Sequence, residues 1–159
     1  MSADETRPVP PSIVAEQILW LRRKIDTTPM HVLKLVYLSH GWMLGINGTP
    51  LIDEGVEAWT YGPVVPSIYH RYKVFGASTI GNRTTDRSEV LPPIAGALVS
   101  VIEELYRSLT ASQLSRLTHM AGTPWDVTRR KDGIGAVIPN QRIEAHYKGL
   151  LRTRQRIRR

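Results

Sequence analysis

The 159-residue chain contains no cysteine. Disulfides, thiolate metal centres and a cysteine nucleophile are thereby excluded, and a cytoplasmic location is the expectation. No apolar run approaches the roughly 20 residues that a membrane span requires. The opening residues Met1 to Pro8 are acidic and proline-rich, without the basic and apolar blocks of a secretion signal. Residues 1–10 are expected to form a disordered tail.

Reaction chemistry is equally sparse. The five histidines (His31, His40, His70, His119 and His146) include no His-x-x-x-His pair, the spacing that puts two metal ligands on one helix face. They read as structural or surface histidines, with His40 and His119 placed near aromatic residues. Asp53 and Glu54 are adjacent, as are Glu103 and Glu104. Neighbours diverge on a strand or a helix, so neither pair forms an acid/base couple unless a distant acid joins it. Both pairs read as solvated faces. No glycine-rich phosphate loop and no Gly-x-Ser-x-Gly elbow occurs. The expectation is a protein that is not an enzyme and uses neither cofactor nor metal.

Phenylalanine occurs once, whereas there are four tryptophans and six tyrosines. Tryptophan and tyrosine join a large apolar body to a polar tip, which suits interfaces as well as cores. Trp42 lies in an almost wholly apolar stretch and reads as core. For Trp59 and Tyr61, on a short extended piece, core and interface both stay open.

The net charge of +7 is unevenly spread. Arg142, Lys148, Arg152, Arg154, Arg156, Arg158 and Arg159 face a single acid, Glu144, whereas the first 141 residues are nearly neutral. Residues 152–159 read as a basic tail. Such a tail can bind phosphate backbones through counterion release, or simply remain solvated. It has no interleaved aromatics for stacking bases.

The pattern of apolar residues predicts about seven helices. Ser12 is placed to cap a first helix with Val14, Ile18, Leu21 and Ile25 on one face. Thr28 and Pro29 open a second, over about Met30 to Leu44, apolar around nearly its whole circumference and therefore central and buried. Gly45 and Asn47-Gly48 are expected to stop it. Residues 51–61 alternate as a strand or one arm of a small hairpin. Tyr61-Gly62-Pro63 turns the chain, and Pro63 and Pro66 are expected in the first turn of a helix carrying Ile68, Tyr69 and Tyr72. Gly76 to Val90 reads as an exposed loop. A helix after Pro92-Pro93 is expected to bury Ile94, Leu98, Val101, Ile102, Leu105 and Leu109. Thr110 to Gln113 is a capping box for the next. Thr123-Pro124 starts a short helix with Trp125, Lys131 to Ile138 reads as a loop, and a last helix carries Ile143, Tyr147 and Leu150 toward the arginines. The fold class is thus mainly α: one compact domain around a buried central helix, with a small β hairpin or extended segment.

Lys34-Leu35-Val36-Tyr37 with Gly41-Trp42, then Tyr61-Gly62-Pro63-Val64 with Pro66 and Tyr69, then Leu117-Thr118-His119 and Pro124-Trp125 form a set of ordered pieces. In order and spacing they resemble the Panacea-domain (SocA-like) antitoxin family, formerly described as phage-associated proteins. The resemblance runs from about Ile13 to Leu151, which places the domain at 11–151. Leu33 stands where the family often has glutamine. The resemblance implies an antitoxin that neutralises a small toxin, encoded by an adjacent gene, through direct binding. In one branch of the family it implies a proteolytic adaptor that delivers the toxin to the ClpXP protease. A nucleic-acid-binding protein using Arg152, Arg154, Arg156, Arg158 and Arg159 is the alternative of another class. Trp59, Tyr61, Pro63 and Tyr69, with the loop from Gly76 to Val90, are the candidate partner-binding residues.

Overall fold

The computed structural model describes residues 2–81 and 89–157. Its elements run α1 (Pro11–Leu21), α2 (Pro29–Asn47), β1 (Val56–Trp59), β2 (Gly62–Val64), α3 (Pro66–Tyr72), a 3-10 turn (Lys73–Phe75), α4 (Pro93–Tyr106), α5 (Ala111–His119), α6 (Pro124–Asp132), β3 (Val137–Ile138) and α7 (Asn140–Ile157). The fold is mainly helical, with one small antiparallel sheet ordered β2-β1-β3. No helix among the described residues is long and apolar enough to cross a membrane.

The central helix is α2. Every residue from Val32 to Gly45 is buried, and α1, α3, α4, α5, α7 and β2 all pack on it. Its start is fixed locally: Thr28 Oγ1 accepts from the His31 backbone N–H, and His31 Nδ1 accepts in return from the Thr28 N–H at 3.0 Å. Gly45 does not stop the helix, contrary to the expectation; Gly48, left-handed at φ 72°, does. Gly41 and Gly45 instead admit α7. A Cβ at Gly45 would lie 2.6 Å from Tyr147 Cβ, and one at Gly41 would collide with the Tyr147 ring. Small residues let the two backbones approach, and the close packing this allows is what rigidifies an interior.

Around that seam the aromatic rings interlock. Tyr147 meets Trp42 edge-on with ring centres 5.1 Å apart, and Trp42 Nε1 donates to the Tyr106 hydroxyl at 3.0 Å, which ties α2 to α4. The core placement of Trp42 holds. His40, also buried, accepts from the Leu51 N–H at 3.2 Å through Nδ1. Its other nitrogen therefore carries the proton toward Asn140 Oδ1 at 3.0 Å. Burial pushes its pKa down, as a hydrogen-bonded structural imidazole requires.

Several boundaries differ from the sequence expectation. Helix α1 starts at Pro11 rather than after Ser12, because proline's fixed φ suits a first helical position. Pro63 lies in β2 and only Pro66 opens α3; β2 is an edge strand, where a missing N–H is tolerated. The stretch expected as a loop after Lys131 instead continues α6 to Asp132 and then adds β3. On α4 the buried set is Ala95, Val99, Ile102, Glu103 and Tyr106, whereas Val101 is 61% and Leu105 47% exposed. Glu103 is not solvated. It is wholly buried between Arg22, at 3.4 Å, and Arg107. Arg22 also donates through Nε to Thr27 Oγ1 at 3.0 Å, so this buried network fastens α1 to α4. At the N-terminal end of the chain, Val9 is buried and bridges Ile52, exchanging backbone hydrogen bonds with Leu51 and Asp53.

Candidate partner-binding groove

The β1–β2 hairpin turns through Thr60 and Tyr61, with Trp59 paired to Gly62. Its polar groups are held from behind. Trp125 Nε1 on α6 donates to the Trp59 carbonyl at 2.6 Å, and Ser115 Oγ on α5 donates to the Tyr61 carbonyl at 3.0 Å. On the other flank β3 supplies pairing to β1, reinforced by the Gly135 N–H donating to the Ala58 carbonyl at 2.6 Å. A short hairpin is marginal in water by itself. These anchors make it a fixed ledge.

In front of the ledge lies an open groove of about 520 Å³, walled by Trp59, Tyr61, Val64, Tyr69, Met30 and Ile134, with Leu33 and Lys34 beneath. Trp59 and Tyr69 stand edge to face, 4.9 Å between ring centres, and the Trp59 indole N–H is satisfied by Glu57 at 2.8 Å. Tyr61 is 70% exposed. A large ring held out on a rigid turn costs little entropy to immobilise in a complex, which is the property of an interface anchor.

Three of the four aromatic and proline candidates, Trp59, Tyr61 and Tyr69, therefore line one groove. Pro63 is buried and turns its carbonyl inward. The acceptor is used by Lys34, whose Nζ donates to it at 2.9 Å. Lys34 was not singled out from the sequence as a site residue. It sits in an apolar run, and the one visible signal was a charge placed where a helix buried on all sides tolerates none. Its side chain is completely covered, and burial pushes its pKa down to about 7. Gly62 makes room for it. Gly62 adopts φ 115°, and a Cβ there would stand 2.8 Å from Lys34 Nζ, so both backbone and space require glycine.

The loop from Gly76 to Val90 is described only at its ends, and residues 82–88 lie outside the described residues. Of the arginines, Arg152, Arg154 and Arg156 are on α7, which continues past Leu151 to Ile157 as an ordered helix. Arg154 sits over the Trp42 ring at 5.4 Å. Arg158 and Arg159 lie outside the described residues. Among the described residues no cluster of three or more His, Asp or Glu side chains could hold a metal.

Comparison with known proteins bears on the same segment. The family model described as "Antitoxin SocA-like, Panacea domain" matches residues 32–126, which include Lys34, the whole hairpin and Tyr69. Antitoxin SocA of Caulobacter vibrioides (strain NA1000 / CB15N) is 34% identical over 110 residues, covering 63% of this chain. The match spans 58% of that relative's length. No solved structure matches the chain.

Proposed function

The chain belongs to the SocA-like antitoxin family of Panacea domains, and from that premise we propose that it neutralises a cognate toxin by binding it directly at the groove in front of the β1–β2 hairpin. The proposed action is binding without chemistry. The observation that carries the placement is Tyr61, 70% exposed on a turn whose carbonyl is held by Ser115. Trp59 and Tyr69 continue the same apolar surface. Aromatic anchors surrounded by well-packed support are where binding energy concentrates.

The test is a low-salt pull-down of the tagged chain from its native cells, repeated with Tyr61→Ala and Trp59→Ala. A stoichiometric small protein encoded by the adjacent gene is the expected companion of the wild type, with Tyr61→Ala losing most of it while keeping its fold. Capture that is indifferent to both substitutions refutes the placement. Protease subunits in the eluate, with toxicity restored in cells lacking ClpXP, favour the adaptor reading. Nucleic acid without a small protein, released by salt and lost when residues 152–159 are removed, favours the arginine helix instead.

A further inference from the structure

Helix α4 carries an apolar stripe that the described chain leaves open. From Pro93 to Ile102 the helix has no charged residue. Its single polar side chain there, Ser100, donates to the Gly96 carbonyl at 2.9 Å and so makes no outward demand. A helix apolar all round has the pattern of one covered on every side, yet only part of α4 is covered. Ala95, Val99, Ile102 and Tyr106 are buried where α1 and α2 pack on it. One position back along the helix, Ile94 and Leu98 are half-buried and Val101 and Leu105 are exposed. These four recur at intervals of four, three and four residues, the spacing with which one helix packs along another. The periodicity that marked them for burial is therefore unmet within the described chain. Residues 82–88 and 158–159, outside the described ones, contain no apolar side chain, so they have nothing with which to bury the stripe.

We propose that this stripe pairs with the same stripe of a second copy of the chain, the two α4 helices running antiparallel about a two-fold axis. The inference stands apart from the antitoxin reading and from the groove. Intervals of four, three and four read the same in both directions. Antiparallel pairing therefore sets Ile94 against Leu105 of the other copy and Leu98 against its Val101, and the two-fold axis repeats both contacts in reverse. Charge fits the same arrangement. The exposed acid Glu104 lies near the C-terminal end of α4. In the antiparallel pair it comes to rest beside the first turns of the other helix. There Ala97 is small and exposed, no charge opposes the carboxylate, and the helix dipole favours an acid. A foreign helix with charges beside its apolar stripe would find none to match between Pro93 and Ile102, whereas a second copy brings none to that stretch. A pair of 14-residue helices is small beside the ~1,200 Å² that stable interfaces bury, so the association is weak and reversible.

The test is sedimentation equilibrium of the full chain from about 10 µM to about 1 mM, a range that resolves a weak dimer. The mean mass is expected to climb from the 17.9 kDa of one chain toward twice that value. Val101→Glu, an exposed change that circular dichroism should show to be folded, is expected to weaken association roughly ten-fold or more, because pairing would bury its charge. Leu150→Glu on α7, also at an exposed position, should leave association unchanged. The chain has no cysteine, so single replacements report the direction of pairing. Protein carrying Ile94→Cys, mixed with protein carrying Leu105→Cys and oxidised in air, should give the mixed disulfide in preference to either self-pair. Antiparallel helices bring position 94 to position 105 and hold the two 94 positions roughly 16 Å apart along the axis. A mass of one chain at every concentration, association indifferent to Val101→Glu, or self-disulfides at or above the mixed product overturns the inference. Loss of toxin capture in Val101→Glu, from a chain that is monomeric throughout, assigns the stripe to the toxin and overturns it as well.

Discussion

The α2–α7 seam and the β1–β2 groove both bring glycine together with tyrosine and tryptophan, and they end in opposite states. In the seam, Gly41 and Gly45 admit Tyr147 until ring and backbone touch. The polar tip of Trp42 is used up inside, on Tyr106. In the groove, Gly62 makes room for a charged amine rather than a ring. Tyr61 is largely exposed, and Lys34 has no counter-ion among the described residues. One region is packed shut around its rings; the other keeps apolar area exposed. Aromatic content by itself therefore says little about function. What decides is whether each ring's area and each polar group are already spent on the chain itself.

That contrast can be broken or sharpened by substitution. The largest effect is expected in the seam. Tyr147→Ala removes a ring that packs on both Tyr37 and Trp42, and should cost about 3–5 kcal/mol in urea denaturation. A loss under about 1 kcal/mol would mean that the seam is not the keystone described. Gly45→Leu drives a side chain into Tyr147 and should cost about 3 kcal/mol, more than the gain in helix propensity returns.

In the groove the sign is expected to reverse. Lys34→Met should stabilise the fold at pH 6, since it removes an unpaired buried charge. The pH dependence follows from the depressed pKa. Between about 7 in the folded chain and the ordinary 10.5, the unfolded chain holds a proton that the folded chain does not. Stability of the wild type should therefore rise with pH through that window, by up to ~1.4 kcal/mol per pH unit, with no slope from this group below about 7. In Lys34→Met the slope should vanish, so the two curves converge toward alkaline pH. Parallel curves would show that Lys34 titrates normally and is not desolvated. Gly62→Ala should cost about 1–3 kcal/mol through its φ of 115° and its approach to Lys34. The smallest stability change belongs to Tyr61→Ala, within about 0.5 kcal/mol, although the same change should weaken toxin binding by roughly 30-fold or more.

Much of this was legible in the sequence where the governing interactions are local. The stretch from about Met30 to Leu44, apolar around nearly its whole circumference, announced a central helix, and Thr28, Thr110 and Thr123 each announced a cap that the structure places at a helix start. What was hidden depends on distant partners. Gly45 looks like a helix stop until Tyr147 is seen filling the space beside it. Glu103 looks solvated beside Glu104 until Arg22 reaches it from α1. Pro63 has the same local signature as Pro66, and only pairing with β1 decides that one is strand and the other helix. The aromatic candidates around Trp59 were named from their side-chain type, and three of them share one groove. Lys34 was quoted as part of a motif, yet its burial without a counter-charge could not be read from any spacing.

The most direct measurement is amide hydrogen exchange of the full chain, alone and bound to its captured toxin. The account predicts that protection on binding concentrates in the hairpin turn and the start of α3, residues 59–69, with the α2–α7 seam unchanged because it is already closed. Protection centred instead on the exposed face of α4 around Val101 and Leu105, with the hairpin unaffected, would contradict it.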